Sequence, residues 1–296
     1  MPTTFEPTQE LVRHINQSHG LRFVLRERCP EGLAGAWLLS DDDGRRAILK
    51  INTDMAHRME QLPRLVDRVR AAGYPTPRWL AAGETADGTT YHVVDFVSGE
   101  SMLRSRLTLR TVEHLIEVIE RQAGLDPDPT ENWSEYVWEC AFGDGENDPR
   151  PMTRRLGQSG IELIARFEAL LAPYVELKLP RHDMVHGDLN NSNVMCQNGE
   201  ITGVIDAESL GSGTRALDYA TLLPRLLQQG ASPEIISAVR RAGREVAGPG
   251  VFAACGAAVA FDSVRSIYYQ GRDQEPGVFA GVLADLHHFA TVLTDA

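Results

Sequence analysis

The segment His186-Gly187-Asp188-Leu189-Asn190-Asn191-Ser192-Asn193, followed by Gly203-Val204-Ile205-Asp206, decides how this chain is read. A carboxylate at 188 and an amide at 193 stand five residues apart. A tight turn between them faces both side chains into one cavity. Asn198-Gly199 is a hairpin signal, because both residues accept the positive φ that a two-residue turn demands. A hairpin there folds the chain back and returns Asp206 beside Asn193. Other histidine pairs do not suggest metal binding. His182 and His186 precede a loop, and adjacent His287 and His288 would point apart on a helix.

Upstream of this segment the pattern is mixed. Residues 8–19 read as a short helix with Thr8 as N-cap. Strands are expected at 21–28, 35–40, 46–51, 79–83 and 90–97, with Asp41-Asp42-Asp43-Gly44 and Asp87-Gly88 as turns. A helix over 54–72 is inserted among them, and Pro63 either kinks it or opens a fresh first turn. Ser98-Gly99 reads as a hinge. Downstream, helices are expected over 108–123, 132–142, 153–173, 215–228, 232–247, 250–270 and 276–293, with a β insertion at 194–206. The expected fold class is α+β with two lobes. Residues 1–98 form a five-stranded lobe with one inserted helix, and residues 99–296 form a mainly helical lobe.

Transfer of a phosphoryl group to a hydroxyl needs a carboxylate near the attacking oxygen, hard oxygen ligands for Mg²⁺, and a cation on the nucleotide phosphates. Asp188 and the pair Asn193 and Asp206 meet the first two of those needs. Lys50, in Ala47-Ile48-Leu49-Lys50, lies on the third expected strand. The chain has only one other lysine, Lys178, and every other basic residue is Arg. A lysine kept in such a background suggests a task that arginine does not perform.

His-Gly-Asp-x-x-x-x-Asn followed by Ile-Asp resembles the pattern of the aminoglycoside phosphotransferase and choline kinase group, which shares its fold with the eukaryotic protein kinases. The likeness spans most of the chain. It implies a bilobal protein-kinase-like fold, with Asp188 as the catalytic aspartate that accepts or orients the hydroxyl proton. It implies that Asn193 and Asp206 hold Mg²⁺, and that Lys50 takes the α- and β-phosphates of ATP or GTP. The lysine's helix partner is expected at Glu60, by position. Asp218, in Leu217-Asp218-Tyr219-Ala220, matches the aspartate that braces the catalytic loop, although an aspartate serving only a helix N-terminus looks the same. His186 supports that loop by the same resemblance. Gly32 and Gly35 lie where the phosphate-covering turn belongs. The adenine is expected on backbone atoms from Asp95 to Val97. Gly187 stands where many protein kinases carry an arginine, and Ala207-Glu208 follows Asp206. Both features point to a small-molecule kinase rather than a phosphorylation-switched one.

The net charge of −12 disfavours nucleic acid as a partner. The charge is uneven: residues 1–98 carry 12 Lys/Arg against 13 Asp/Glu, and residues 99–296 carry 17 against 28. Eight acidic residues and no Lys or Arg lie between Leu125 and Pro149, interleaved with aromatic rings. By resemblance this insertion helps form the substrate cleft, and Asp126, Glu131, Trp133, Glu135 and Glu139 suit a cationic small molecule. Asp262 could complete the cleft. The alternative is a solvated acidic loop followed by an amphipathic helix.

The four cysteines are scattered, so reduced structural thiols are expected. No apolar run approaches the roughly 20 residues of a membrane span; the longest candidate is Val251 to Phe261. The first ten residues lack the features of a secretory signal, so a cytoplasmic location is expected. The leading functional expectation is a kinase that inactivates an aminoglycoside or other cationic antibiotic, conferring resistance. A metabolic kinase for an amino alcohol, sugar or related hydroxyl compound is the alternative. A catalytically inactive nucleotide-binding module is the third.

Overall fold

The structure is a computed structural model that describes residues 8–29, 35–52, 58–130, 132–143, 145–275 and 277–294. It divides into two compact units, Met1–Ser98 and Gly99–Ala296.

In the first unit, α1 (Gln9–His19) starts where Thr8 Oγ1 accepts the Leu11 amide at 3.1 Å. The strands are β1 (Val24–Arg28), β2 (Ala36–Ser40), β3 (Arg46–Asn52), β4 (Trp79–Glu84) and β5 (Thr90–Asp95). They form one antiparallel sheet in the order β1-β2-β3-β5-β4. The first strand begins at Val24 rather than 21, because the Asn16 side chain bonds both the amide and the carbonyl of Phe23. The turn after β2 is closed by Asp41, whose Oδ1 accepts the Arg45 amide at 2.8 Å. Leu11, Val12 and Ile15 of α1 pack with Trp37, Leu39, Leu49, Tyr91 and Val93 in one core. Burying each such side chain contributes about 1.5–3 kcal/mol. That core takes alternate residues of β3, so Ala47, Leu49 and Ile51 are buried while Ile48 and Lys50 lie on the other face, half-buried.

Of the helix expected over 54–72, residues 54–57 lie outside the described residues, and the described part is helical only over 62–71. α2 (Leu62–Ala71) carries Pro63 in its first turn, where a missing amide breaks no helical hydrogen bond. Residues 58–61 form a turn before it.

The second unit contains β6 (Glu100–Ser101), α3 (Leu109–Glu120), α4 (Trp133–Phe142), α5 (Arg150–Thr153), α6 (Gln158–Leu171), β7 (Asp183–Val185), β8 (Val194–Gln197), β9 (Glu200–Val204), β10 (Gly211–Gly213), α7 (Ala216–Gln228), α8 (Pro233–Ala247), α9 (Pro249–Tyr269) and α10 (Val278–Thr294). β6, β8 and β9 form one small sheet, and β7 with β10 another. Gly157, at φ 67° and ψ −142°, splits the helix expected over 153–173 into α5, a 3₁₀ turn and α6. Contrary to the sequence expectation, α9 is long and apolar enough to cross a membrane by length and composition, but 72% of its apolar window is buried in the protein. It is the core helix against which α4, α7 and α10 pack. All four cysteines are free and three are buried. Burial first, then nearby carboxylates, push the Cys140 thiol up to about 12.

Candidate active site

β7 delivers the chain into the 186–193 loop, whose entry is held from below by α7. Asp218, in the first turn of α7 and fully buried, accepts the His186 amide at 2.8 Å, the Gly187 amide at 3.1 Å and Gln122 Nε2 at 2.9 Å. Burial pushes the Asp218 carboxyl up, and His186 together with these three donors draws it back. His186 Nε2 lies 2.9 Å from the Ile205 carbonyl oxygen. That oxygen can only accept, so Nε2 bears the ring proton, and Nδ1 accepts the Asp188 amide at 3.3 Å. One imidazole thus ties the loop to the strand that leads into Asp206.

The Asp188 residue is exposed, and its carboxylate is held in place by two neighbours. Asn190 Nδ2 donates to Oδ1 at 2.9 Å, and Asn193 Nδ2 donates to Oδ2 at 3.0 Å and to the Asp188 carbonyl at 2.9 Å. Both carboxylate oxygens keep a lone pair for an incoming proton. With its Nδ2 engaged, Asn193 has Oδ1 left as an acceptor. The hairpin of β8 and β9 brings Ile205 N within 2.8 Å of the Asn193 carbonyl, so Asp206 follows directly beside it. Asp206 itself takes φ 65° and ψ 47°, a left-handed conformation costly for a residue with a Cβ.

Among the described residues no group of three or more His, Cys, Asp or Glu could hold a metal alone. An Asn oxygen and an Asp carboxylate fit a different demand. Mg²⁺ takes one or two protein oxygens and completes its octahedron with water and phosphate oxygens. Asn193 Oδ1 and the Asp206 carboxylate are of that kind.

In the first unit, Lys50 sits in β3 opposite Ala36 and His92, on the half-buried face it shares with Ile48. Glu60 differs from expectation. It lies in the turn before α2, is exposed, and makes no ion pair with Lys50 in this structure, because the helix begins two residues later. Gly35 precedes β2 at φ 71°, and a Cβ there would meet the Trp37 ring at 2.9 Å. Gly32 lies outside the described residues. The Asp95 carboxylate pairs with Arg45 at 2.7 Å and Arg78 at 3.6 Å, and its amide donates to the Arg78 carbonyl. The Val97 amide, half-buried, has no protein acceptor among the described residues.

Residues 27–255 match the phosphotransferase enzyme family. The chain belongs to that family. It is a phosphotransferase that acts on small-molecule hydroxyl groups, with a protein-kinase-like fold. Solved structures share the fold. A thermostable mutant of aminoglycoside phosphotransferase APH(4)-Ia, in ternary complex with ADP and hygromycin B, aligns with a TM-score of 0.69 at 18% identity over 96% of this chain and 99% of that one. Amicoumacin kinase hAmiN, in complex with AMP-PNP, Ca²⁺ and Ami, aligns with 0.64 at 13% over 95% and 92%. Aminoglycoside-3′-phosphotransferase of type VIII aligns with 0.58 at 24% over 86% and 98%. No curated protein matches the chain in sequence.

The phosphotransferase's acidic insertion is only partly directed at the 186–193 loop. Asp262, on α9, accepts the Tyr136 hydroxyl at 2.9 Å and pairs with Arg265 at 2.6 Å. Burial first, and the charge of Asp188 second, push its carboxyl up to about 6. Trp133 touches the loop directly: a Cβ on Gly187 would lie 2.5 Å from the indole Cζ2. Four of the insertion's acids have partners away from the loop. Glu135 pairs with Arg181. Glu139 accepts the Asn147 amide at 3.2 Å and its Nδ2 at 2.7 Å. Both line a separate depression of about 360 Å³ with Trp138 and Leu179. Asp126 bonds His182 Nδ1 at 3.0 Å, and Asp148 pairs with Arg150 at 3.0 Å. Glu131 lies outside the described residues. Two residues of the site escaped sequence reading, Asn190 and Gln122, and Tyr136 reads only as one of the insertion's aromatic rings. Asn190 sits inside the quoted segment, where an amide two residues after a carboxylate is a local cue. Gln122 and Tyr136 reach the site only through the tertiary fold.

Proposed function

We propose that this phosphotransferase moves the γ-phosphoryl group of ATP to a hydroxyl of a cationic small molecule, an aminoglycoside or a related antibiotic. The observation that carries the reading is the Asp188 carboxylate, pinned on both oxygens by Asn190 and Asn193, beside a hairpin that ends in Asp206. The structurally similar proteins that bind ADP or AMP-PNP together with hygromycin B or Ami support ATP and an antibiotic acceptor.

Asp188 accepts the acceptor's hydroxyl proton as its oxygen bonds to the γ-phosphorus and the bridging β–γ bond breaks, releasing ADP. Asn190 and Asn193 keep the carboxylate aimed, so little reorganisation is needed in the transition state. Asn193 and Asp206 would hold Mg²⁺, which when bound supplies positive charge to the phosphate oxygens. Lys50 serves the α- and β-phosphates, and the free Val97 amide suits an adenine ring nitrogen.

One observation favours a second reading, a metabolic kinase for an amino alcohol or sugar. Glu135, Glu139, Asp126 and Asp148 already have partners, which leaves fewer carboxylates for a polycation. ADP release measured across a panel of aminoglycosides and hydroxyl metabolites separates the two. Stimulation by an aminoglycoside that vanishes in Asp188→Ala supports the first reading. Stimulation by metabolites alone supports the second, and no stimulation by either panel rejects both.

A further inference from the structure

We propose that Trp133 is a positioning residue for phosphoryl transfer, clamping the backbone beside Asp188 to the turn that follows Asp206. The inference rests on the function proposed above and concerns how this chain fixes its two site carboxylates relative to each other.

Three groups meet at one point. Gly187 takes φ 82°, and a Cβ on it would lie 2.5 Å from the Trp133 ring and 2.8 Å from the Ser209 carbonyl oxygen. The same carbonyl accepts the indole Nε1–H at 2.9 Å. Ser209 closes the 3₁₀ turn Ala207–Ser209 that begins right after Asp206. The indole therefore lies on the loop glycine that precedes Asp188 and is bonded to the turn that succeeds Asp206. Asp218 holds the loop's amides as well, so the backbone at 187 is tied through its N–H to Asp218 and crowded at its Cα by the indole.

The clamp is itself anchored. Trp133 is the first residue of α4, and the N-cap Asn132 accepts the Ser134 amide at 3.0 Å while bridging to Ser212. Tyr136 packs edge-on to the indole, with ring centroids 5.3 Å apart. Rotation of the ring would break its bond to Ser209 and its edge contact with Tyr136. With its N–H engaged by the Ser209 carbonyl, the indole has no donor left for a ligand.

A shift of about 1 Å at a reacting group costs on the order of 100-fold in rate. Trp133→Phe removes the N–H that bonds Ser209 together with Cζ2, the indole atom nearest Gly187, and leaves a smaller ring in place. It is expected to lower kcat about tenfold, with KM for nucleotide and acceptor changed less than about twofold and the protein still fully folded at the assay temperature. Steady-state kinetics and thermal melting of wild type and variant decide the matter, using the acceptor found in the panel. A wild-type kcat in Trp133→Phe, a rise confined to acceptor KM, or a kcat loss that tracks lost folding would each overturn the clamp. A wild-type enzyme inactive on every acceptor sinks the functional reading first and takes this inference with it.

Discussion

The Asn193 side-chain amide donates to Asp188 twice, to its carbonyl at 2.9 Å and to its carboxylate at 3.0 Å. Asn193→Asp keeps a hard oxygen for a metal but replaces the donor with a second negative charge. Turnover is expected to fall on the order of 100-fold or more, the scale of losing a well-placed general base. Excess Mg²⁺ should not restore it. Recovery of wild-type ADP release at high Mg²⁺ would show that Asn193 serves the metal alone.

Asp218 is buried among three N–H donors. An asparagine at 218 would turn its own NH₂ toward at least one of them. Asp218→Asn is therefore expected to destabilise the protein by about 2–4 kcal/mol, the range for breaking a buried, charge-assisted network. Urea unfolding measures it, and a change below about 0.5 kcal/mol would remove the brace.

Gly187→Ala adds a methyl group at a left-handed position already occupied by Trp133 and the Ser209 carbonyl. The expected cost is about 1–3 kcal/mol from overpacking and backbone strain. Trp133→Ala vacates the ring's share of that space. The double variant should then be more stable than the sum of the two single losses predicts. Strict additivity in denaturation curves would mean the ring and the glycine do not press on each other.

Asp262 gives a pH signature. Its carboxyl is raised from the ordinary 3.8 to about 6, by burial first and then by the charge of Asp188, although the Arg265 guanidinium opposes the rise. A group raised on folding contributes stability that is fully present below its unfolded value and is lost as pH climbs through its folded one. The melting temperature of wild type relative to Asp262→Asn should accordingly fall between about pH 4 and pH 7. The side chain remains 52% exposed, so the change will be modest. A difference that grows with pH would show instead that the Arg265 ion pair dominates.

Much of this arrangement could be read in the chain before folding. Capping at Thr8, the turns at Asp41 and Asp87, and the alternation of β3 are local features, and the structure has them. The short strands β6, β7 and β10 were not legible, because two or three residues cannot show a period. The start of α2 was misplaced because apolar spacing continues through the turn before Pro63. At the site, the spacing within 186–193 and the hairpin through Asn198-Gly199 bring Asp188, Asn193 and Asp206 together. The acidic insertion could not be resolved the same way. Composition counts carboxylates, but whether one meets Arg181, Asn147 or Asp188 depends on contacts between residues distant in the chain.

The pairing of Glu135 with Arg181 on the surface of the insertion has an evolutionary consequence. Changing that one arginine to a neutral residue would unmask a carboxylate already in place, with no backbone rearrangement. The charge of the depression that both residues line can thus change by deleting a cation as readily as by acquiring an acid.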